Sequence, residues 1–90
     1  MAQDATFVLV EGAHARRFDE EVIVLDLAGG DYYGLNAVGA AIWEGLVAGR
    51  TPAQVARELT ESHDVDYETA LRDCLALIDE LCARRLLRKA

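Results

Sequence analysis

The apolar pattern of this chain changes character once, at Asn36, and that single change restricts the fold more than any other feature. Before it, apolar residues come in short β-branched and aromatic runs bounded by Gly and Asp. After it, they recur at three- and four-residue intervals to the end of the chain, as on helices with one buried face. Strands followed by helices, without alternation, point to an α+β domain rather than a βαβ one. Ninety residues suffice for one domain spanning 1–90.

Phe7-Val8-Leu9-Val10 reads as a first strand and Gly12-Ala13-His14-Ala15-Arg16-Arg17 as a polar connection. Glu21 to Leu27 is too continuously apolar for a one-sided surface strand and reads as the central one. Ala28-Gly29-Gly30-Asp31 is a hairpin turn, and Asp31 to Leu35 returns. These runs predict a three-stranded antiparallel meander.

Three helices follow. Asn36 caps the first, with Val38, Ala41, Ile42 and Leu46 on its apolar face and Gly49 at its end. Trp43 extends that face and reads as core, while Gly39-Ala40-Ala41 suggests close approach to another backbone. Thr51 opens the second helix with Pro52 at the first position and Gln54 completing a capping box. Asp66 caps the third, which carries two apolar stripes: Ala70, Cys74, Leu77, Leu81 and Leu71, Leu75, Ile78, Cys82. One stripe suffices for a core. The second is either the margin of a widely buried face or the wall of a groove for a partner.

Composition narrows the function. Sixteen Asp and Glu against nine Lys and Arg give a net charge of −7, which repels phosphate backbones and anionic membranes. No apolar run approaches the ~20 residues of a membrane span, and Met1 to Thr6 has neither the basic flank nor the apolar stretch of a signal peptide, so a cytoplasmic protein is expected. Cys74 and Cys82, about 12 Å apart on one helix, cannot bridge. With only His14 and His63 remote from them, the chain offers no metal-ligand set. Walker, Gly-x-Ser-x-Gly and Gly-x-Gly-x-x-Gly motifs are absent, so neither a cofactor nor catalysis is expected, and binding is the better class.

Tyr33-Gly34-Leu35-Asn36, Gly39-Ala40, Ile42-Trp43, Gly49-Arg50-Thr51, Asp64-Val65-Asp66, Asp73, Leu77-Ile78, Leu81 and Leu86-Leu87, in this order, resemble the PqqD-like family of precursor-peptide recognition elements. The resemblance runs from about Val22 to Leu87. Arg85 departs from it, standing where the family often has Gly, and the N-terminal strand matches nothing distinctive. The resemblance implies a winged-helix-like fold, a three-stranded antiparallel sheet followed by three bundled helices, without catalytic activity. Such domains hold the leader of a ribosomally made precursor peptide as an added strand. They present it to a maturation enzyme such as a radical SAM enzyme, a cyclodehydratase or a leader protease, as in pyrroloquinoline quinone or lasso-peptide clusters.

The residues read alone agree on mechanism, because a third strand at a sheet edge offers unpaired backbone groups to an extended peptide. The candidate peptide-binding residues are Asp31, Tyr32, Tyr33 and Gly34 on that strand, with Leu71, Leu75, Ile78, Asp79 and Cys82 on the third helix. Two other readings stand beside this one. A DNA-binding winged helix would need a basic helix start, whereas the candidates open Thr51-Pro52-Ala53-Gln54 and Asp66-Tyr67-Glu68-Thr69. A plain dimerisation module would use the spare stripe to form a homodimer.

Overall fold

The computed structural model describes residues 4–90; Met1 to Gln3, which open the N-terminal segment considered above, lie outside them. The elements in order are β1 (Phe7–Leu9), β2 (Ala13–Phe18), β3 (Glu21–Asp26), β4 (Asp31–Leu35), α1 (Ala37–Val47), α2 (Pro52–Ser62), α3 (Tyr67–Ala83) and β5 (Leu87–Lys89). The class is the expected one, an antiparallel three-stranded sheet followed by three helices, and β3 is its central strand.

The membership of that sheet differs from the sequence expectation. Its first strand is Ala13–Phe18, the segment that reads as a polar connection, paired so that Ala15 faces Val24 and Arg17 faces Val22. Phe7–Leu9 instead pairs with β5, Leu9 opposite Leu87. In β2 only Ala13 is buried, so this strand is held by its ladder to β3 rather than by an apolar face of its own. The β2–β3 turn places Asp19 at φ 56°, a conformation that Asp tolerates better than most residues.

On β3, Val22 and Val24 are buried on the face covered by α1, and Leu35 of β4 joins them opposite Val22. Arg17, on the same face of β2, donates a hydrogen bond to Glu44 of α1. The core continues through Ile42, Trp43 and Leu46 of α1 into Val55, Ala56 and Leu59 of α2.

All three helix starts carry the caps read from the sequence. Asn36 Oδ1 accepts the Gly39 N–H at 2.9 Å, Asp66 Oδ1 accepts that of Thr69 at 2.7 Å, and Thr51 and Gln54 satisfy each other's backbone donors reciprocally. Gly49, at φ +96°, ends α1 in a Schellman turn: the Arg50 N–H reaches the Gly45 carbonyl and the Gly49 N–H that of Leu46.

The close approach expected at Gly39-Ala40-Ala41 lies one turn later. A Cβ on Gly45 would stand 2.7 Å from Val55 Cγ2, whereas one on Gly39 would meet only Leu35 and Asn36 side chains at 3.3 Å and beyond. Gly45 is therefore the position at which α2 seats against α1.

The third helix also divides differently. Ala70, Cys74, Ile78 and Leu81 are its buried stripe, and Leu77 is half-buried, so Ile78 and Leu77 exchange the places the spacing gave them. After Ala83 the chain turns in a second Schellman motif, with the Leu86 N–H on the Leu81 carbonyl and the Arg85 N–H on that of Cys82. Arg85 occupies the left-handed position at φ 59° where Gly fits without strain. This left-handed turn is made here with Arg, and it delivers Leu86 and Leu87 to the core.

Candidate functional site

The sheet order β2-β3-β4 leaves β4 at an edge, and among the described residues no strand pairs with its outer side. Its backbone N–H and C=O groups on that side are accordingly available to an extended chain. Side chains alternate along it: Tyr33 and Leu35, opposite Val24 and Val22, point to the core face, and Tyr32 and Gly34, opposite Leu25 and Ile23, point away.

The C-terminal end of α3 comes near this strand. The helix packs chiefly on α2, with α1 and β5 as further neighbours, and does not pack closely against β4. Near the end of α3, Arg84 reaches β4, its guanidinium carbon 4.8 Å from the centroid of the Tyr33 ring. Arg84 Nε donates to Glu80 Oε1 at 2.9 Å, so Glu80, Arg84 and Tyr33 form a chain of contacts from helix to strand.

That contact tells which flank of α3 is turned toward β4. At about 100° per residue, Leu77 lies two turns before Arg84 on nearly the same stripe, while Leu71, Leu75 and Cys82 lie roughly 150° further round. The structure therefore gathers Asp31, Tyr32, Tyr33 and Gly34 on the β4 edge and separates the helix candidates from them. Ile78 is in the core. Leu71, Leu75 and Cys82 are half-buried on the flank away from Arg84, and Asp79 is exposed. Arg84, Glu80 and Leu77 were not among the sequence candidates for the site. The signal the sequence carries for Arg84 is its seven-residue spacing from Leu77 on one helix stripe.

Burial pushes the Cys74 thiol up to about 12, and burial with the neighbouring Asp79 carboxylate raises that of Cys82. Neither thiol is poised as a nucleophile. No group of three or more His, Cys, Asp or Glu side chains gathers to hold a metal among the described residues. None of their helices is long and apolar enough to cross a membrane. A half-buried aromatic, an apolar helix flank and a strand edge unpaired among the described residues are features suited to holding an extended chain.

The comparison with known families gives the same fold a lineage. The family model described as coenzyme PQQ synthesis protein D (PqqD) matches residues 21–87. The chain belongs to the PqqD family. Within that family setting, two solved structures superimpose closely. One, described as TbiB1 in complex with the TbiA(beta) leader peptide, is 31% identical with a TM-score of 0.83, covering 90% of this chain and 94% of its own. The other, lasso peptide synthetase B1 complexed with the leader peptide, is 32% identical with a TM-score of 0.87, covering 93% and 99%. No curated protein matches the sequence. The PqqD match begins at β3, so β1 and β2 are outside it, in keeping with their weak sequence signals.

Proposed function

We propose that this chain binds the leader of a ribosomally synthesised precursor peptide and delivers it to a maturation enzyme, without catalysing a reaction itself. The observation that carries the proposal is the unpaired edge of β4, with Arg84 of the α3 C-terminal turn stacked on its Tyr33, in a fold whose relatives of 31% and 32% identity were solved with leader peptides. The leader adds as a fourth strand to β4. Backbone pairing supplies affinity that depends little on side chains, and the Tyr33, Leu77 and Arg84 surface supplies selectivity. On α3 this lining differs from the candidates read in the sequence, Leu71, Leu75, Ile78, Asp79 and Cys82.

Titration of the purified chain with the synthetic leader of its cognate precursor, followed by amide shifts in NMR, tests the proposal. Shifts should concentrate on Asp31–Leu35 and on the Leu77 to Arg84 stretch of α3. Shifts confined to α1 and α2, or no binding at all, would reject it. Backbone N-methylation along the leader refines the test, because methyls on alternate residues should abolish binding while those between them are tolerated.

A further inference from the structure

Charge is unevenly distributed along this chain. Its last acidic residue is Glu80, and the segment that follows holds Arg84, Arg85, Arg88 and Lys89, four of the nine basic residues, in a molecule of net charge −7. Little of that local charge is neutralised. Among the described residues Arg84 pairs with Glu80, whereas Arg85, Arg88 and Lys89 form no ion pair, and Arg88 reaches only the carbonyl of Lys89. Asp26 and Asp31, at the hairpin end of β4, pair with none of the four. All four cations are exposed, yet they are not on a loose tail: Leu86 and Leu87 between them are buried, the Val10 N–H donates to the Leu86 carbonyl, and β5 is paired with β1. Arg85 holds the left-handed position of the turn, which Gly would take without strain, so the local backbone gives no reason for an arginine there. Through Arg84 and the Tyr33 ring the same turn touches the middle of the edge strand.

We propose that Arg84, Arg85 and Arg88 form a docking surface for an acidic stretch of the leader, next to the residues that pair with β4. The inference rests on the leader lying along β4, and it names the chemistry that such a leader carries. An extended peptide gains about 3.4 Å per residue, so a few residues beyond the part paired beside Tyr33 suffice to reach the turn. Backbone pairing accepts almost any extended sequence and fixes its register weakly. An Asp or Glu held by a guanidinium fork supplies both selectivity and register, because Arg and carboxylate match in geometry as well as in charge. The rest of the molecule, strongly negative, repels such a stretch and leaves this turn as the place where it is attracted. A phosphate polymer fits less well, since it would extend past the turn onto that negative surface.

The test measures, by fluorescence polarisation, the labelled synthetic leader of the cognate precursor and the same peptide with its Asp and Glu changed to Asn and Gln. Arg85→Gly is the informative variant, because it removes a charge while relieving the backbone, so weaker binding is not explained by lost folding. With Arg88→Gln added, affinity for the native leader should fall about tenfold at low salt, and the loss should largely vanish near ~1 M salt, where the screening length is ~3 Å. The neutralised leader should bind the wild type and the double variant alike. Arg57→Gln, which removes an α2 cation that forms no ion pair, should leave native-leader affinity unchanged. Equal low-salt affinity of the wild type and the double variant for the native leader would overturn the proposal, as would a cognate leader without Asp or Glu. So would light scattering that shows a salt-sensitive self-association lost in the double variant while leader binding stays intact. Failure of the leader to shift the β4 amides of the wild-type chain is a separate result, and it would reject the underlying reading.

Discussion

Arg84 rests on the ring of Tyr33 and thereby joins the last residue of α3's C-terminal turn to the middle of the edge strand, two elements that otherwise stand apart. Both partners are partly open to water, so the contact is worth only about 0.5–1 kcal/mol to the fold. On the proposed reading its larger consequence is for binding, because a leader strand added to β4 would pass beneath it or replace it. Arg84→Ala should change the melting temperature little and leader affinity severalfold, and Arg84→Lys should not restore the wild-type value, since a compact ammonium lacks the planar stacking surface. Equal leader affinities for the wild type and Arg84→Ala, measured by fluorescence polarisation, would place the peptide elsewhere.

On α3 the division between Ile78 and Leu77 gives a paired prediction. Ile78→Ala removes a buried side chain from the core and should cost about 2–4 kcal/mol in denaturant unfolding. Leu77→Ala, at a half-buried position on the β4 side, should cost less stability and lower leader affinity, whereas Leu75→Ala should leave affinity unchanged. If Leu75→Ala weakens leader binding more than Leu77→Ala does, the groove runs along the opposite flank.

The turn after α3 holds Arg85 at φ 59°, where a Cβ makes the left-handed conformation unfavourable by roughly 1–2 kcal/mol. Arg85→Gly removes that penalty and adds some unfolded-state entropy. The net should be a gain of about 0.5–1 kcal/mol, seen as a higher midpoint of urea unfolding with an unchanged slope. A lower midpoint would mean that the Arg85 side chain contributes contacts that outweigh its backbone conformation.

Gly45 and Val55 make the opposite case. Gly45→Ala places a methyl group 2.7 Å from Val55 Cγ2, and overpacking of this kind costs about 1–3 kcal/mol. Gly45→Ala with Val55→Ala should be less destabilised than the sum of the two single variants, because the second change opens the space that the first one fills.

These residues also show where the sequence is legible. Caps are written locally, in a side chain and a backbone group three residues apart, so Asn36, Thr51 and Asp66 could be read directly. The central strand could be read from its unbroken apolar run. β2 could not, because Ala-His-Ala-Arg-Arg-Phe is a strand only by virtue of β3 beside it, and β5 is a strand only because β1 lies beside it. Within α3 the periodicity is ambiguous at adjacent positions: Leu77 and Ile78 are both apolar, and only the placement of α1 and α2 decides which one is enclosed. The edge strand could be anticipated, but the helix flank facing it depended on Arg84, a long side chain whose reach to Tyr33 is a tertiary property.

Asp66 supplies a pH-dependent prediction at a site remote from the groove. Its carboxylate accepts hydrogen bonds from Thr69, chiefly through the side chain and then the backbone, and these hold its pKa below the ordinary aspartate value. A carboxylate with a depressed folded-state pKa contributes stability that is fully present above its unfolded-state pKa and is lost as pH falls through the lower folded-state value. The helix N-terminus favours the charged form in the same direction. Asp66→Asn keeps a good N-cap acceptor but removes the titrating charge. The variant should therefore be slightly less stable than the wild type at neutral pH, and the difference should close as the solution is acidified below the ordinary carboxylate range. Melting temperatures of the two proteins that stay a constant interval apart from neutral to acid pH would show that the cap acts through its oxygen alone.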